Sequence, residues 1–373
     1  MIATPELPET AAPTVTPQVD DAPVTEGDVG WIYRTLLGRS PENAHVARSQ
    51  AAAHPSVEAL CKSVMDSPEF RTQWRKVEAG EATALTPHAA DISAPDADVI
   101  RSFAAYSGPG TPGFVTDFLG TKTRVGVVKS LASQDGDVEG YPIPGNFHGG
   151  ADEWAGTLRS VLEADPEREY VAAELGAGWG PWLAASAAGC RHRGIRRLKL
   201  VGLEAAAGHV AYMRQHFLDN GLDPDAHTIL HGASATEDGY AEFPDLNDDS
   251  ADYGATLSLA DPLLQRVVSG TATRVKAYSI ATLLEPYRRV DLVHIDIQGS
   301  EGEVVAASRG VLKAKVRRLV IGTHGRAIEQ RLLEDLSADG WVCETDEPCR
   351  YASRPGAVYL TLDGCQVWRN DTV

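Results

Sequence analysis

The sequence predicts an α/β fold in which helices cover both faces of a mostly parallel sheet, preceded by a small helical domain. One observation is the alternation of apolar strands and amphipathic helices between residues 170 and 340. Another is a glycine-rich turn at residues 176–180, directly after the first of these strands. A third is two successive strands at the C-terminal end, which indicate an antiparallel hairpin on the same sheet. Such sheets bind ligands at the carboxyl ends of their parallel strands.

The composition is that of a globular protein with an excess of acidic residues. Its 373 residues are 43% hydrophobic, enough for one large domain and one small one. Lys and Arg total 34 against 52 Asp and Glu, and the net charge of −18 would repel a phosphate backbone. We therefore expect no nucleic-acid partner. The five scattered cysteines form no C-x-x-C pair and indicate neither a disulfide framework nor a zinc site.

Four segments follow one another along the chain. Residues 1–26 are rich in Pro, Thr and acids without a signal-peptide pattern, which indicates a disordered leader on a cytoplasmic protein. No apolar run is long enough for a transmembrane segment. Residues 27–76 have apolar side chains at near-helical spacing and are predicted to form a helical module. Residues 77–97 are small, acidic and Pro-containing, as in a linker, and residues 98–373 form the main domain.

Within the main domain we expect a strand or hairpin around Val125 to Val128, followed by regular alternation. The predicted strands are 170–175, 198–204, 227–234, 290–297, 317–324, 341–347 and 364–370. The predicted helices are 152–164, 181–194, 209–221, 279–288, 301–313 and 326–340.

The stretch "ELGAGWGPW" raises the question of which ligand its glycines hold. A dinucleotide fingerprint G-x-G-x-x-G would need glycine at the position of Pro181, which disfavours a pyrophosphate. The stretch resembles instead the first motif of S-adenosylmethionine-dependent methyltransferases, E/D-x-G-x-G-x-G. The resemblance implies that the turn faces the methionine part of the cofactor and that the acid lies near its amino group. The residues it assigns to the cofactor are Glu174, Gly176, Ala177, Gly178, Trp179 and Gly180.

Further cofactor contacts are expected at the next two strand ends. Glu204 ends the second strand, where a carboxylate can accept hydrogen bonds from both ribose hydroxyls. NAD-dependent oxidoreductases use an acid in the same way, so Glu204 alone does not discriminate between the two classes. Position alone assigns Ala233, Ser234 and Glu237, after the third strand, to the adenine edge.

The segment "VDLVHIDIQGSEGEVV", residues 290–305, resembles the FkbM-type methyltransferases, whose fourth strand carries D-x-E/Q-G-x-E. Here the motif is formed by Asp296, Gln298, Gly299 and Glu301. With the glycine turn and "VIGTHG", the resemblance spans roughly residues 145 to 370 and implies a class I methyltransferase fold. It places Asp296 and Gln298 at the cofactor. Gln stands where the family more often has Glu, which disfavours a fully acidic metal cage.

Methyl transfer to a hydroxyl needs an acceptor aligned with the methyl group and a base that removes its proton. His324 follows the fifth strand and Asp296 closes the fourth, so we expect His324, acting with Asp296, to be that base. His294, two residues before Asp296, is interpreted as a hydrogen-bonded core residue. His148 is interpreted either as a lid residue over the cofactor or as a solvent-exposed loop histidine. Glu301 joins Asp296 and His324 as a candidate Mg²⁺ ligand, although no spacing demands a metal.

The FkbM resemblance implies O-methylation of a glycan or small-molecule hydroxyl. The stretch "YRTLLGRSPE…SPEF" resembles a helical module, related to phycobilisome-linker repeats, that accompanies bacterial enzymes of surface polysaccharides. We therefore expect a sugar acceptor in a surface polysaccharide or glycolipid, and a module that serves acceptor binding or homo-oligomerisation. The alternatives are a simple helical cap on the main domain, a polyketide or macrolide acceptor, and a non-catalytic glycan-assembly module.

Overall fold

The computed structural model describes residues 24, 29, 32–33, 44–67, 70–71, 94–246, 248–250, 253–254, 272–354 and 357–373. The chain divides into two units, Met1–Asp91 and Ile92–Val373. Apart from residue 24, the predicted leader lies outside the described residues, as does the predicted linker up to residue 93. Among the described helices, none is long and apolar enough to span a membrane.

The described residues of the N-terminal unit include the short helices α1 (Ala44–Ala53) and α2 (Val57–Met65). Ser56 caps α2, since its hydroxyl accepts a hydrogen bond from the Ala59 amide. Buried apolar side chains, among them Ile32 and Leu60, form a small core of this unit.

The second unit is built on a seven-stranded sheet covered by helices. Its strands are, in chain order, β1 (Phe114–Thr116), β2 (Lys122–Arg124), β3 (Tyr170–Leu175), β4 (Leu198–Glu204), β5 (Thr228–His231), β6 (Ala233–Ser234), β7 (Gly239–Pro244), β8 (Ala272–Tyr278), β9 (Val290–Ile295), β10 (Val316–Thr323), β11 (Val342–Glu347), β12 (Arg350–Arg354), β13 (Ala357–Leu362) and β14 (Gly364–Arg369). Its helices are α3 (Ala94–Arg101), a 3₁₀ helix (Lys129–Gln134), α4 (Ala151–Leu162), α5 (Pro181–His192), α6 (Ala207–Asp219), α7 (Ile280–Leu284), α8 (Glu301–Lys315) and α9 (Arg326–Ala338).

The order of strands in the main sheet is β11-β14-β10-β9-β3-β4-β5. Strand β14 runs antiparallel to both of its neighbours, and the pairs from β10 to β5 are parallel. The predicted fold class, a mostly parallel Rossmann-like sheet with an antiparallel C-terminal pair, is therefore confirmed. The order reverses between β3 and β9, where open α/β sheets bind their ligands.

Two apolar cores lie on opposite faces of this sheet. Successive side chains of a strand point to opposite faces, so Ala172 of β3 packs in one core and Ala173 in the other. All six residues of β3 are buried, as expected for a central parallel strand. The helix α4, through Trp154 and Leu158, covers the first face. The second face is covered by α8 and α9, through side chains such as Val305 and Leu332.

Three features differ from the expected elements. The first hairpin is formed by β1 and β2, before Val125 to Val128, because the Asp117 carboxylate accepts hydrogen bonds from the Leu119 and Thr121 amides and fixes the turn earlier. A separate three-stranded sheet, β6-β8-β7, begins at the end of the predicted strand 227–234 and continues up to the predicted helix 279–288, where no element was predicted. A second hairpin, β12–β13, separates the last two strands of the main sheet.

The end of β3 meets the end of β9 at unusually short range. Gly176 adopts φ +72°, and a Cβ on this residue would lie 1.7 Å from the Asp296 carbonyl oxygen. The Asp296 amide donates to the Leu175 carbonyl at 2.9 Å, which ties the two strand ends together. Only glycine permits both the left-handed conformation and this approach.

We predict that Gly176→Ala lowers the free energy of unfolding by about 3 kcal/mol or more, since left-handed strain and overpacking add together. Gly194→Ala is the matched control, because Gly194 also has a positive φ, +74°, but a Cβ there meets nothing within 4 Å. The control should lose only about 1 kcal/mol in urea-induced unfolding. Equal losses in the two variants would show that the contact with Asp296 imposes no constraint.

Candidate active site

A cavity opens at the carboxyl edge of the sheet, where β3, β4 and β9 end. It encloses about 560 Å³, its open mouth included, which is in the range of small-molecule sites. Its lining residues are Gly176, Gly178, Leu203, Glu204, Ala205, His209, Gly232, Ala233, Ser234, Phe243, Tyr253, Asp296, Ile297 and Gln298. Of the predicted cofactor residues, the structure thus brings together Gly176, Gly178, Glu204, Ala233, Ser234, Asp296 and Gln298.

The other residues assigned to the cofactor from the glycine motif do not line this cavity. Glu174 is buried below it, and its carboxylate accepts hydrogen bonds from the Leu183 and Trp182 amides at the start of α5. Burial raises the pKa of Glu174 well above its usual range. The carboxyl group therefore caps a helix instead of facing the ligand space.

Ala177, Trp179 and Gly180 also turn away from the cavity. Ala177 packs in the apolar core, and a Cβ on Gly180 would lie 2.8 Å from the Met213 side chain. The ring of Trp179 packs edge-on against Tyr253, with centroids 4.8 Å apart. These three residues therefore fix the conformation of the turn through contacts with the protein interior and do not line the cavity.

Glu204, at the end of β4, forms hydrogen bonds on one side of the cavity. Its carboxylate accepts hydrogen bonds from the Gly178 and Ala206 amides, both at 2.7 Å. His209 Nδ1 lies 3.6 Å from the same carboxylate, and His209 Nε2 lies 2.8 Å from the Asp249 carbonyl oxygen. Burial disfavours the charged imidazole, but Glu204 outweighs it and raises the pKa of His209.

The sequence did not predict seven of the cavity residues, and three of these seven carry ring side chains: His209, Phe243 and Tyr253. Tyr253 stacks on His209, with centroids 4.2 Å apart and planes at 7°, and its hydroxyl donates to the Val127 carbonyl oxygen. Phe243 and Tyr253 lie between residues 234 and 279, where the sequence predicted no helix or strand, so it held no signal for them. His209 had one, since it is a polar residue in the first turn of the helix that follows Glu204.

The part of the cavity beside β6 contains an unsatisfied polar atom. Ala233 and Ser234 are both buried, and the Ser234 hydroxyl has no hydrogen-bond partner among the described residues. Buried hydroxyl groups without a partner are uncommon in proteins, so this one is available to a ligand.

A cluster of three ionisable side chains, Asp296, Glu301 and His324, lies at the ends of β9 and β10. His324 Nδ1 is 2.8 Å from Glu301 Oε1, and His324 Nε2 is 3.5 Å from Asp296 Oδ1. Gln298, which adopts φ +54°, donates from its amide nitrogen to Asp296 Oδ1. The cluster joins the cavity through Asp296 and Gln298, because both line it.

The carboxylates of this cluster shift the pKa of His324. Burial disfavours a charged His324, but its hydrogen bond to Glu301 and the charge of Asp296 outweigh burial and raise its pKa to about 9. Burial raises the pKa of Asp296 to about 6, and His324 offsets part of that rise. At neutral pH the ligand-free site therefore holds an imidazolium between carboxylates.

Candidate ligand atoms of Asp296, Glu301 and His324 lie within 4.8 Å of one another, so a metal ion must be considered. The fully buried Glu301 carboxylate, however, already accepts hydrogen bonds from the Ile297 and Gly299 amides and from His324. Mg²⁺ prefers several free oxygen ligands in octahedral geometry, and this cluster offers it an imidazole nitrogen and a carboxylate that is already hydrogen-bonded. The donor set thus does not fit Mg²⁺.

The two remaining candidate histidines are interior residues. The side chain of His148 is fully buried and stacks on Trp154 at 5.3 Å, and neither ring nitrogen has a hydrogen-bond partner in the described part of the chain. Burial lowers its pKa well below the usual range, so His148 is neither an exposed loop residue nor part of the cavity wall. His294 Nε2 lies 3.4 Å from Glu153 Oε1, the ring stacks on Trp182, and burial lowers its pKa to about 4.

The sheet order, the glycine turn and the acid that ends β4 define a class I methyltransferase fold. A protein of Jannaschia sp. (strain CCS1) named "Putative methyltransferase" is 32% identical over 278 residues, which cover 74% of this chain and 98% of that protein. The chain belongs to the methyltransferase family of this relative. No family model matches the sequence.

Solved structures with a similar arrangement are much more distant. The precorrin-6Y C5,15-methyltransferase of Geobacter metallireducens GS-15 is 11% identical, with 58% of this chain and 86% of that chain covered and a TM-score of 0.34. The methyltransferase FkbM of Methylobacillus flagellatus KT is 12% identical, with 58% and 54% covered and a TM-score of 0.34. These comparisons provide no support for the resemblance of residues 27–76 to phycobilisome-linker repeats, which stays a prediction.

The hydrogen bonds of Glu301 predict that millimolar Mg²⁺ does not stabilise the EDTA-treated protein. A ligand that binds the native state raises the unfolding temperature as its concentration rises, so a thermal scan over a Mg²⁺ series is a direct readout. We expect no shift. A saturable rise in unfolding temperature that is absent from Asp296→Asn would contradict this assignment.

Proposed function

We propose that the chain is an S-adenosylmethionine-dependent O-methyltransferase of the FkbM type. The observation that carries the proposal is that one cavity is lined by the glycine turn, by Glu204 and by the unpartnered Ser234 hydroxyl, with Asp296 on its far wall. Each is a group that a sulfonium-bearing nucleoside would contact. The methyltransferase family of the 32% identical relative supports the same reaction.

The cavity residues suggest an orientation for the cofactor. Its methionine end would lie against the backbone of Gly176 and Gly178, where a ligand can approach because no side chain intervenes. Its ribose hydroxyls would donate to Glu204, and its adenine would lie beside Ser234 and Phe243. Glu174 would act from a distance, by holding the start of α5.

The reaction would place the acceptor between Asp296 and His324. When bound, the cofactor supplies a methyl group on a sulfonium, and the acceptor oxygen forms its bond to that carbon while the carbon–sulfur bond breaks. Glu301 accepts the Nδ1 proton of His324 and so fixes the tautomer whose Nε2 is free to take the hydroxyl proton. His324 loses its own proton more readily when a positive charge is bound beside Asp296, because like charges disfavour the imidazolium.

A sugar hydroxyl is our proposal for the acceptor group, in a surface polysaccharide or glycolipid. The hairpin β12–β13 leads directly into Asp363 at the cluster, and the half-exposed Tyr351 places its hydroxyl near Gly325, next to His324. Aromatic rings provide apolar surfaces on which a pyranose can pack. We further propose that the N-terminal helical unit contributes to acceptor binding or oligomerisation, and that the protein acts in the cytoplasm.

Replacing Glu204 by Ala should weaken the binding of S-adenosylhomocysteine by about 10- to 100-fold, the scale of lost hydrogen bonds to a charged group. Titration calorimetry measures this directly. Glu237→Ala is the control, because Glu237 is exposed after β6 and does not line the cavity. Unchanged affinity in Glu204→Ala, or tighter binding of NADH than of S-adenosylhomocysteine, would favour a different ligand.

His324→Ala should leave S-adenosylhomocysteine affinity nearly intact and lower kcat by about 10²- to 10⁴-fold, the usual contribution of a general base. A base works in its neutral form, and the pKa of His324 is raised to about 9. In the wild type, kcat/KM for S-adenosylmethionine, which reports the free enzyme, should therefore rise about tenfold per pH unit up to about pH 9 and then level off, whereas kcat/KM for the acceptor at saturating S-adenosylmethionine should level off at a lower pH. His324→Ala should lack this rise. A variant that methylates at the wild-type rate would remove His324 from the chemistry.

A further inference from the structure

His209 lies between two oxygen atoms that can only accept hydrogen bonds. It is in the first turn of α6, is buried and lines the cavity. Its Nδ1 is 3.6 Å from Glu204 Oε1, and its Nε2 is 2.8 Å from the Asp249 carbonyl oxygen. A neutral imidazole has one N–H and can donate toward only one of these oxygens, whereas an imidazolium donates toward both. The geometry therefore favours the doubly protonated ring.

The same ring supports an aromatic wall of the cavity. Tyr253 lines the cavity and stacks on His209, with ring centroids 4.2 Å apart. A Cβ added to Gly178 would lie 3.4 Å from the Tyr253 ring, so this ring lies directly beside the glycine turn. A positive charge over the face of an aromatic ring is attracted to it. Protonation of His209 therefore strengthens its contact with Tyr253.

The chain around this wall is also held from its other side. Residues 248–250 and Tyr253, which we call the wall segment, contact the start of the 3₁₀ helix. The Lys129 amide donates to the Ser250 carbonyl oxygen at 2.8 Å, and the tyrosine hydroxyl donates to the Val127 carbonyl oxygen at 2.8 Å. The contacts of the imidazole join the wall segment to the acid that ends β4.

We propose that His209 is a positioning residue for the cofactor, and that its doubly protonated form holds Tyr253 as a wall beside the ribose that Glu204 binds. The inference rests on the proposed function and adds to it a residue that the sequence did not predict. The ion pair with the ring also holds the Glu204 carboxylate in place. A group that is already in position loses less freedom when its ligand binds, which raises affinity.

This role makes cofactor binding depend on the charge of one ring. The groups that face the ring are Glu204 from β4, Asp249 and Tyr253 from the wall segment, and Tyr212 from α6 itself. Burial disfavours the charge, but Glu204 and Asp249 outweigh burial and raise the pKa of His209. The contacts of the imidazolium are therefore complete below that raised pKa, and one of them is lost as the pH rises through it.

The test compares the wild type with His209→Gln, which can donate hydrogen bonds but carries no charge at any pH. The affinity for S-adenosylhomocysteine is measured by titration calorimetry at fixed ionic strength, from about pH 6 to about pH 10. We expect the wild type to bind about 10-fold more tightly than the variant at the acidic end, and this ratio to fall as the pH rises. Titration of the ligand and of His324 affects both proteins and cancels in the ratio. Equal affinities at the acidic end, or a ratio that is constant with pH, overturns the proposal.

His192→Gln is the matched control for the loss of a histidine. His192 is an exposed residue in the last turn of α5 and does not line the cavity. This variant should bind S-adenosylhomocysteine as the wild type does at every pH. A pH-dependent loss of the same size in His192→Gln would contradict the assignment to His209.

Tyr253→Ala tests whether His209 acts through the wall. Removal of the ring should weaken S-adenosylhomocysteine binding by about 10-fold. His209→Gln should then have a smaller effect in the Tyr253→Ala background than in the wild type, because the two variants share one interaction, and fully additive losses overturn the role of the wall. If His209→Gln does not fold, Tyr253→Ala still decides the question. Its loss of affinity should shrink as the pH rises, since the neutral imidazole no longer holds the tyrosine, and a loss that is constant with pH overturns the proposal.

The failure of this inference differs from the failure of the proposed function. A wild-type protein that does not bind S-adenosylhomocysteine at any pH refutes the methyltransferase assignment itself. A wild-type protein that binds it, with a ratio to His209→Gln that does not change with pH, refutes only the role of His209.

Discussion

The site depends on the close approach of two strand ends, where the backbone of Gly176 meets the carbonyl of Asp296. No side chain can occupy that space, since a Cβ would lie 1.7 Å from the carbonyl oxygen. As a result, the turn that follows β3 and the polar cluster that follows β9 are parts of one rigid edge. A methyl donor on the turn and an acceptor at the cluster would then be held in a fixed relation, which is the main requirement of a transfer that needs alignment.

The buried acidic residues at this edge of the sheet have two roles: some accept hydrogen bonds from the protein's own backbone, and others line the cavity. Glu174 caps α5, and Glu301 holds both the loop at Gly299 and the ring of His324. Glu204 does both, because it binds the Gly178 amide and also lines the cavity. Carboxylates that are hydrogen-bonded to backbone amides in this way preorganise a site, so little rearrangement is needed when a ligand binds.

Much of the fold could be predicted from the sequence because its central strands are short, apolar and separated by helices with clear boundaries. Strands β3 and β4 begin and end where predicted. The third predicted strand is instead divided into β5 and β6 at Gly232, and the predicted helix 279–288 ends early, at Leu284, shortly before Pro286, whose missing N–H cannot continue it. The hairpin β12–β13 escaped prediction.

The site was less predictable, because its properties arise from residues far apart in the chain. The motif identified Asp296, Glu301 and His324 as neighbours, but the raised pKa of His324 depends on how closely carboxylates surround it in three dimensions. Asp363, whose charge adds to that rise, comes from the turn before β14 and belongs to no motif. Likewise, the glycine-turn motif could not show that the Glu174 carboxylate caps the start of α5 instead of facing the cavity.

The central claim is that the cavity between the glycine turn and Asp296 binds S-adenosylmethionine, and a crystal structure with S-adenosylhomocysteine tests it most directly. The account predicts the homocysteine part against Gly176 and Gly178, the ribose on Glu204, and the sulfur beside Asp296, on the side that faces His324. Binding of the nucleoside elsewhere, or with its sulfur far from Asp296 and His324, would contradict it.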